Sequence, residues 1–74
     1  MKNRVEQLRL AQEWTKVELG DRLGVSRQTI HAIESGRYDP SLPLALAIAR
    51  LFQMSVEQIF GDQDSGPTAK QVKK

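Results

Sequence analysis

The sequence predicts an all-α domain of five short helices. Apolar residues recur three or four positions apart along residues 1–61, which is the period of one helix face. Short polar residues stand where helix N-caps are expected, shortly before each apolar stripe: Asn3, Thr15, Ser26, Ser41 and Ser55. Glycines follow the second, third and fifth stripes, where helices commonly end: Gly24, Gly36 and Gly61. We therefore expect one helical domain over residues 1–61.

The first helix is expected to begin at Asn3. Glu6 stands three residues later, at the position of a capping-box partner, and Val5 and Leu8 share one face. The pattern ends near Gln12.

The second helix has a complete start and stop signal. Thr15 and Glu18 have the spacing of a reciprocal capping box, and Leu19 and Leu23 lie one turn apart on the same face. Gly24 can take the left-handed conformation that a sharp change of direction requires. A sharp turn after residue 23 is therefore predicted.

A glycine inside this helix has two explanations. Gly20 costs roughly 1 kcal/mol relative to alanine, so it indicates either a close crossing by the next helix or an incidental residue in a marginal helix.

In the third helix, capped by Ser26, Ile30 and Ile33 are expected to point inward. The outward face then carries polar side chains, with two smaller residues at its margins: Arg27, Gln28, His31 and Ser35, with Thr29 and Ala32.

The fourth helix, from Leu42 to about Gln53, has Arg50 as its only charge. Its apolar residues form two opposite stripes: Leu42, Ala45, Leu46, Ala49 and Phe52 on one side, and Leu44, Ala47, Ile48 and Leu51 on the other. Two alternatives stay open: a second copy covers one stripe, or Ile48 and Leu51 complete the core of the same chain with the fifth helix. The candidates for contact with a second copy are Leu44, Ala47, Ile48, Leu51 and Phe60.

The fifth helix is expected to be capped by Ser55 and Gln58. Its inner face consists of Val56, Ile59 and Phe60. Residues 62–74 have almost nothing to bury and are expected to form a disordered polar tail.

Composition narrows the possible functions. The chain of 74 residues has no cysteine, which excludes disulfides and thiolate metal sites, and it has no apolar run long enough for a signal peptide or a membrane span. A cytoplasmic location is therefore expected. His31 is the only histidine and has no second ligand at helical spacing, so neither an enzyme, a metal site nor a cofactor is expected.

Charge is distributed unevenly along the chain. Residues 1–37 hold seven Lys/Arg and five Asp/Glu, whereas residues 38–64 hold one and four. This asymmetry fits a chain with one face toward a polyanion, and it equally fits an ordinary solvated mixture of charges.

Residues 3–60 resemble the Cro/CI (Xre-type) helix-turn-helix family of bacterial and phage regulators. The run SRQTIHAIESGRYDPSL is similar to that family's recognition helix and following loop. The resemblance implies a lambda-repressor-like five-helix domain with the motif at helices 2 and 3, and double-stranded DNA as partner. Two residues depart from the family pattern: Lys16 replaces a glutamine that holds a DNA phosphate, and Glu13 stands where glycine or asparagine is common.

The resemblance also implies roles for individual residues. It places a partly buried ion pair between Arg9 and Glu34; the alternative is that Arg9 contacts DNA directly. The start of a recognition helix reaches base edges in the major groove, and the base-reading candidates are Arg27, Gln28, Thr29, His31 and Ala32. Flanking groups would contact phosphates: Thr15, Lys16, Ser26, Ser35, Arg37 and Tyr38, although Tyr38 fits a half-buried ring equally well.

The function implied is that of a sequence-specific transcriptional regulator. It would bind a two-fold operator as a homodimer, because one short helix reads only a few base pairs. Bound there, it would repress by occlusion. The alternative is an antitoxin-like protein that binds another protein and regulates its own operon. The resemblance also implies a bacterial or phage origin. A regulator bound to DNA would be associated with the nucleoid.

Overall fold

The computed structural model describes residues 2–61. The prediction of a disordered tail concerns residues 62–74, which lie outside the described residues, as does Met1. Residues 2–61 hold five α-helices and no strand: α1 (Val5–Ala11), α2 (Lys16–Leu23), α3 (Arg27–Glu34), α4 (Leu42–Phe52) and α5 (Val56–Phe60). The prediction of an all-α, five-helix domain is confirmed. Among the helices of residues 2–61, none has the length and apolar character needed to cross a membrane.

Four of the five helices begin at the predicted cap. Each cap hydroxyl accepts a hydrogen bond from the backbone N–H three residues later, at 3.0 Å for Thr15, 3.1 Å for Ser26, 3.3 Å for Ser41 and 3.0 Å for Ser55. The caps at Thr15 and Ser55 are reciprocal capping boxes, because the Thr15 N–H donates to Glu18 Oε1 at 2.7 Å and the Ser55 N–H to Gln58 Oε1 at 2.8 Å. These signals depend only on residues three positions apart.

The predicted start of α1 is wrong. Arg4 occupies the N-cap position, and its side chain makes no capping bond; the capping box expected between Asn3 and Glu6 is not formed. Tertiary contacts fix this end instead, because the Arg4 N–H donates to the Ile59 carbonyl at 3.1 Å. Asn3 accepts from the Val5 N–H at 3.0 Å and donates its amide to the Ile33 carbonyl at 2.8 Å, so it ties the start of α1 to α3.

The core draws on all five helices. Its fully buried side chains have no exposed surface: Val5, Leu19, Ile30, Ile33, Ile48 and Ile59. The inward orientation predicted for Ile30 and Ile33 is therefore confirmed. Because both lie on the same side of α3, its opposite side is left facing outward.

Two of the five residues predicted to contact a second copy are buried within their own chain. Ile48 is fully buried and Phe60 is 7% exposed, so their own chain covers both. Of the five candidates, Leu44, Ala47 and Leu51 remain half-buried. The prediction fails for Ile48 and Phe60 because both side chains lie in the core of their own chain, as the competing alternative held for Ile48.

The exposed apolar residues of α4 belong to the other stripe. Leu42 is 67% exposed and Leu46 39% exposed, whereas the small side chains of Ala45 and Ala49 are buried. Small residues allow close packing of the helices on one side, and the two leucines are left on the surface.

Within residues 2–61, two residues other than glycine take the left-handed conformation. Glu13 has φ 63° and Gln53 has φ 57°. At Glu13 the chain leaves α1 in a Schellman turn, because the Glu13 N–H donates to the Leu10 carbonyl at 2.9 Å and the Trp14 N–H to the Arg9 carbonyl at 3.2 Å. A glutamate at this position carries a conformational cost that glycine would avoid.

Candidate functional site

The turn between α2 and α3 is closed by a direct approach of the two backbones. A Cβ atom built on Gly20 would lie 2.5 Å from the Val25 carbonyl oxygen. The Val25 N–H also donates to the Gly20 carbonyl at 2.9 Å. Gly20 is therefore required by a close backbone approach, but the approaching atoms belong to Val25 and Ser26, just before α3, and not to the next helix itself as the first explanation held. Gly24, at φ 75°, turns the chain beside it.

The third helix has one buried and one exposed face. Arg27, Gln28 and His31 are exposed on the side opposite Ile30 and Ile33. Ser35, just beyond the helix, is also exposed, and Thr29 and Ala32 are half-buried at the margins. The structure thus brings the predicted base-reading residues onto one solvent-facing side of a helix held by its opposite side.

The end of α3 directs two further side chains outward. The Gly36 N–H donates to the Ile33 carbonyl and the Arg37 N–H to the Ala32 carbonyl, both at 3.0 Å, and the Tyr38 N–H donates to the same Ala32 carbonyl at 3.2 Å. These bonds fold the loop back on the helix, and Arg37 and Tyr38 are exposed on it. Tyr38 is 45% exposed, so its ring is only partly covered.

A bidentate ion pair joins α1 to α3. The Arg9 Nε donates to Glu34 Oε2 at 2.7 Å and its second terminal nitrogen to Glu34 Oε1 at 3.2 Å. The two side chains are 8% and 4% exposed, and Arg9 also donates to the Trp14 carbonyl at 2.9 Å. The hydrogen bond from Arg9 to Glu34 raises the pKa of Arg9. The pair implied by the resemblance is present, and the burial of Arg9 excludes a direct grip on DNA in this arrangement.

Hydroxyl groups expected near phosphates are already used in the fold. Thr15 and Ser26 accept capping bonds, and the Ser26 hydroxyl also lies 3.1 Å from that of Thr29. Ser35 donates its hydroxyl to the Ala32 carbonyl at 3.1 Å. Each hydroxyl oxygen keeps some capacity for a further partner, because a hydroxyl has one donor and two acceptor sites.

Lys16 and His31 contact each other across the motif. The Lys16 Nζ lies 3.1 Å from the His31 Nδ1, although the two residues are 15 positions apart. Lys16 is half-buried at the first position of α2, and His31 is exposed on α3. Sequence reasoning gave these residues separate roles, and no local signal could have paired them.

A second contact missed from the sequence holds the start of α2. The Arg22 guanidinium lies 4.1 Å from the centre of the Trp14 ring, a cation–π distance, and Trp14 is 5.8 Å from the Phe52 ring centre. Trp14 directly precedes the Thr15 cap, so these contacts fix the position of the helix start against α4.

The described residues show no arrangement suited to metal binding. Within residues 2–61, no three His, Asp or Glu side chains lie close enough together to hold a metal ion. The polar groups assembled around α3 are hydrogen-bond donors and positive charges, which suits binding of a polyanion.

Comparison with known sequences finds relatives among helix-turn-helix transcriptional regulators. Residues 5–59 match the HTH_3 helix-turn-helix family model. An HTH-type transcriptional regulator of Methanocaldococcus jannaschii is 50% identical over 64 residues, which are 86% of this chain and 97% of the relative. The HTH-type regulator YgzD of Bacillus subtilis is 48% identical over 60 residues, covering 81% of this chain and 91% of the relative.

A solved structure shares the fold. The crystal structure of the hypothetical transcription factor NHTF from Neisseria superposes with a TM-score of 0.70, covering 90% of this chain and 76% of that chain. Sequence identity between the two is 18%, so the likeness concerns the arrangement of the helices.

Proposed function

The chain belongs to the Cro/CI (Xre-type) helix-turn-helix family of transcriptional regulators, and from that premise we propose that it is a repressor that binds a two-fold operator as a homodimer. The observation that carries the proposal is the exposed side of α3. Its neighbours bury Ile30 and Ile33 completely, and the polar side chains opposite them face solvent.

In the proposal, α3 lies in the major groove with its first turn toward the base edges. Arg27 can pair bidentately with guanine, and Gln28 with adenine. His31 lies one turn further along the same side, and the methyl groups of Thr29 or Ala32 can contact a thymine methyl.

Residues around α3 would fix its register through the DNA backbone. Lys16 and Arg37 supply positive charge, one at the start of α2 and one in the loop after α3. Hydroxyl groups complete the proposed phosphate contacts: Thr15, Ser26, Ser35 and Tyr38. These contacts supply affinity and position, and they carry no sequence information.

The homodimer is proposed because α3 has only eight residues and reads few base pairs. Its interface is expected on the exposed side of α4, where Leu42 and Leu46 are the exposed large apolar side chains. Leu46 borders a groove of about 400 Å³ between α4 and α5, which Met54 and Val56 also line. A second copy would remove this apolar surface from water, and the half-buried Leu44, Ala47 and Leu51 stay secondary candidates.

The test is selection of bound sequences from random DNA duplexes. The proposal predicts one enriched half-site that occurs twice, inverted, with centres about one helical turn apart. Enrichment of a single half-site would contradict the homodimer, and no enrichment would contradict sequence-specific binding. Co-purification of an unrelated protein chain would favour the antitoxin-like alternative.

A further inference from the structure

The contact between Lys16 and His31 assigns hydrogen-bonding roles to both side chains. A lysine ammonium group has three donors and no acceptor. A hydrogen bond over the 3.1 Å between Lys16 Nζ and His31 Nδ1 therefore requires Nδ1 to accept, which it can do only in the tautomer without a proton there. In a neutral imidazole the proton then resides on Nε2.

We propose that Lys16 is a positioning residue that holds His31 in the tautomer protonated on Nε2, so that His31 offers DNA a hydrogen-bond donor and no acceptor. This inference rests on the proposed function, because it concerns the specificity of the same exposed side of α3. Nε2 is the ring nitrogen farther from the helix backbone. It is the one available to a ligand when Nδ1 faces α2.

The position of His31 makes its tautomer relevant to base reading. It lies four residues after Arg27 and three after Gln28, and residues at these spacings share one side of a helix. All three side chains are exposed. A group that reaches the major groove from this side meets base edges with distinct donors and acceptors.

A donor at Nε2 selects among those base edges. Guanine presents N7 and O6 and thymine presents O4, all of which are acceptors, whereas cytosine presents an amino donor. The held tautomer therefore favours guanine or thymine over cytosine at the contacted base. If the proton could move to Nδ1, Nε2 would become an acceptor, and cytosine would become acceptable.

Lys16 would then contact a DNA phosphate and also influence base reading through His31. One of its N–H groups is engaged by His31, and two remain for a DNA phosphate. Replacing Lys16 should consequently change base preference at one position in addition to lowering affinity for every sequence. A residue that contacts only phosphate would change affinity alone.

The first test uses the free protein. His31 is the only histidine, so the nitrogens of its neutral ring give one set of signals in long-range ¹H–¹⁵N spectra. We expect an unprotonated Nδ1 in the parent and in Lys16→Arg, which keeps a cationic donor. Lys16→Met should show a mixture of tautomers. Unchanged nitrogen shifts in Lys16→Met, with a melting temperature like the parent's, would overturn the proposal.

The second test repeats the selection from random duplexes with matched variants. Lys16→Met should raise acceptance of cytosine at one position about fivefold, the value of one hydrogen bond. Arg37→Met removes the same charge and should leave every base preference unchanged. A tautomer shift without a change in base preference would overturn the role in specificity. If the parent enriches no sequence while the tautomer result holds, the proposed function fails and the positioning by Lys16 stands.

Discussion

Glu34→Ala should remove a third or more of the stability of the domain. The substitution leaves the Arg9 guanidinium buried without its carboxylate, whose two oxygens accept bonds of 2.7 and 3.2 Å. Breaking a buried pair by removing one partner costs roughly 3 to 5 kcal/mol. A domain of this size has about 3 to 9 kcal/mol of unfolding free energy, at roughly 0.05 to 0.15 kcal/mol per residue.

The assay is urea denaturation followed by circular dichroism, with Asp21→Ala as the control. Asp21 is an exposed carboxylate on α2, so its loss should change the unfolding free energy by less than about 0.5 kcal/mol. The double variant Arg9→Met with Glu34→Leu should lose less than Glu34→Ala, because no charge is left unpaired. A Glu34→Ala midpoint within the range of the control would refute the argument.

A pH titration would not replace this experiment. The pKa of Arg9 is raised by its hydrogen bond to Glu34, so the stability that this group contributes is fully present below the unfolded-state pKa. It is lost only as the pH rises through a folded-state pKa that is already strongly alkaline. Across the neutral range the contribution of Arg9 is constant, so a titration over that range would not detect it.

Three further predictions concern the turn, the end of α1 and the surface of α4. Gly20→Ala should lower the unfolding free energy by about 1 to 3 kcal/mol, since its Cβ would lie 2.5 Å from the Val25 carbonyl oxygen; an unchanged melting temperature would contradict the close backbone approach. Glu13→Gly should stabilise by about 0.5 to 1 kcal/mol by relieving the left-handed conformation, and a lower denaturation midpoint would argue against this. Leu46→Glu should halve the mass measured by sedimentation, whereas Val17→Glu, at an exposed apolar site on α2, should not; equal masses for both variants would exclude this interface.

The features predicted correctly from the sequence are local ones. A hydroxyl at Thr15 or Ser26 caps a helix through a group three residues away, so the signal lies within a few positions of the chain. The close approach at Gly20 was one of two explanations, because the cost of a glycine inside a helix points to packing without naming the neighbour. The inward side of α3 followed from the spacing of Ile30 and Ile33.

The features that were missed depend on distant parts of the chain. The start of α1 is set by a bond from Arg4 to Ile59, which no capping rule contains. On α4 both stripes were apolar, so periodicity could not tell which side chains the core covers; Ile48, Ala45 and Ala49 are buried, and Leu46 is on the surface. The contact of Lys16 with His31 needs the angle between α2 and α3, which spacing alone does not provide.

The central claim is that the Arg27 side of α3 reads base edges. The most direct measurement compares dissociation constants for the selected operator and for random duplex, at one salt concentration, in Arg27→Ala and Arg37→Ala. Each variant loses one positive charge, but only Arg27 should lose a base contact, worth about 1 to 3 kcal/mol. Arg27→Ala should therefore lower the ratio of specific to random binding by about 5- to 150-fold, and Arg37→Ala should lower both affinities equally. A ratio for Arg27→Ala equal to the parent's would contradict the claim.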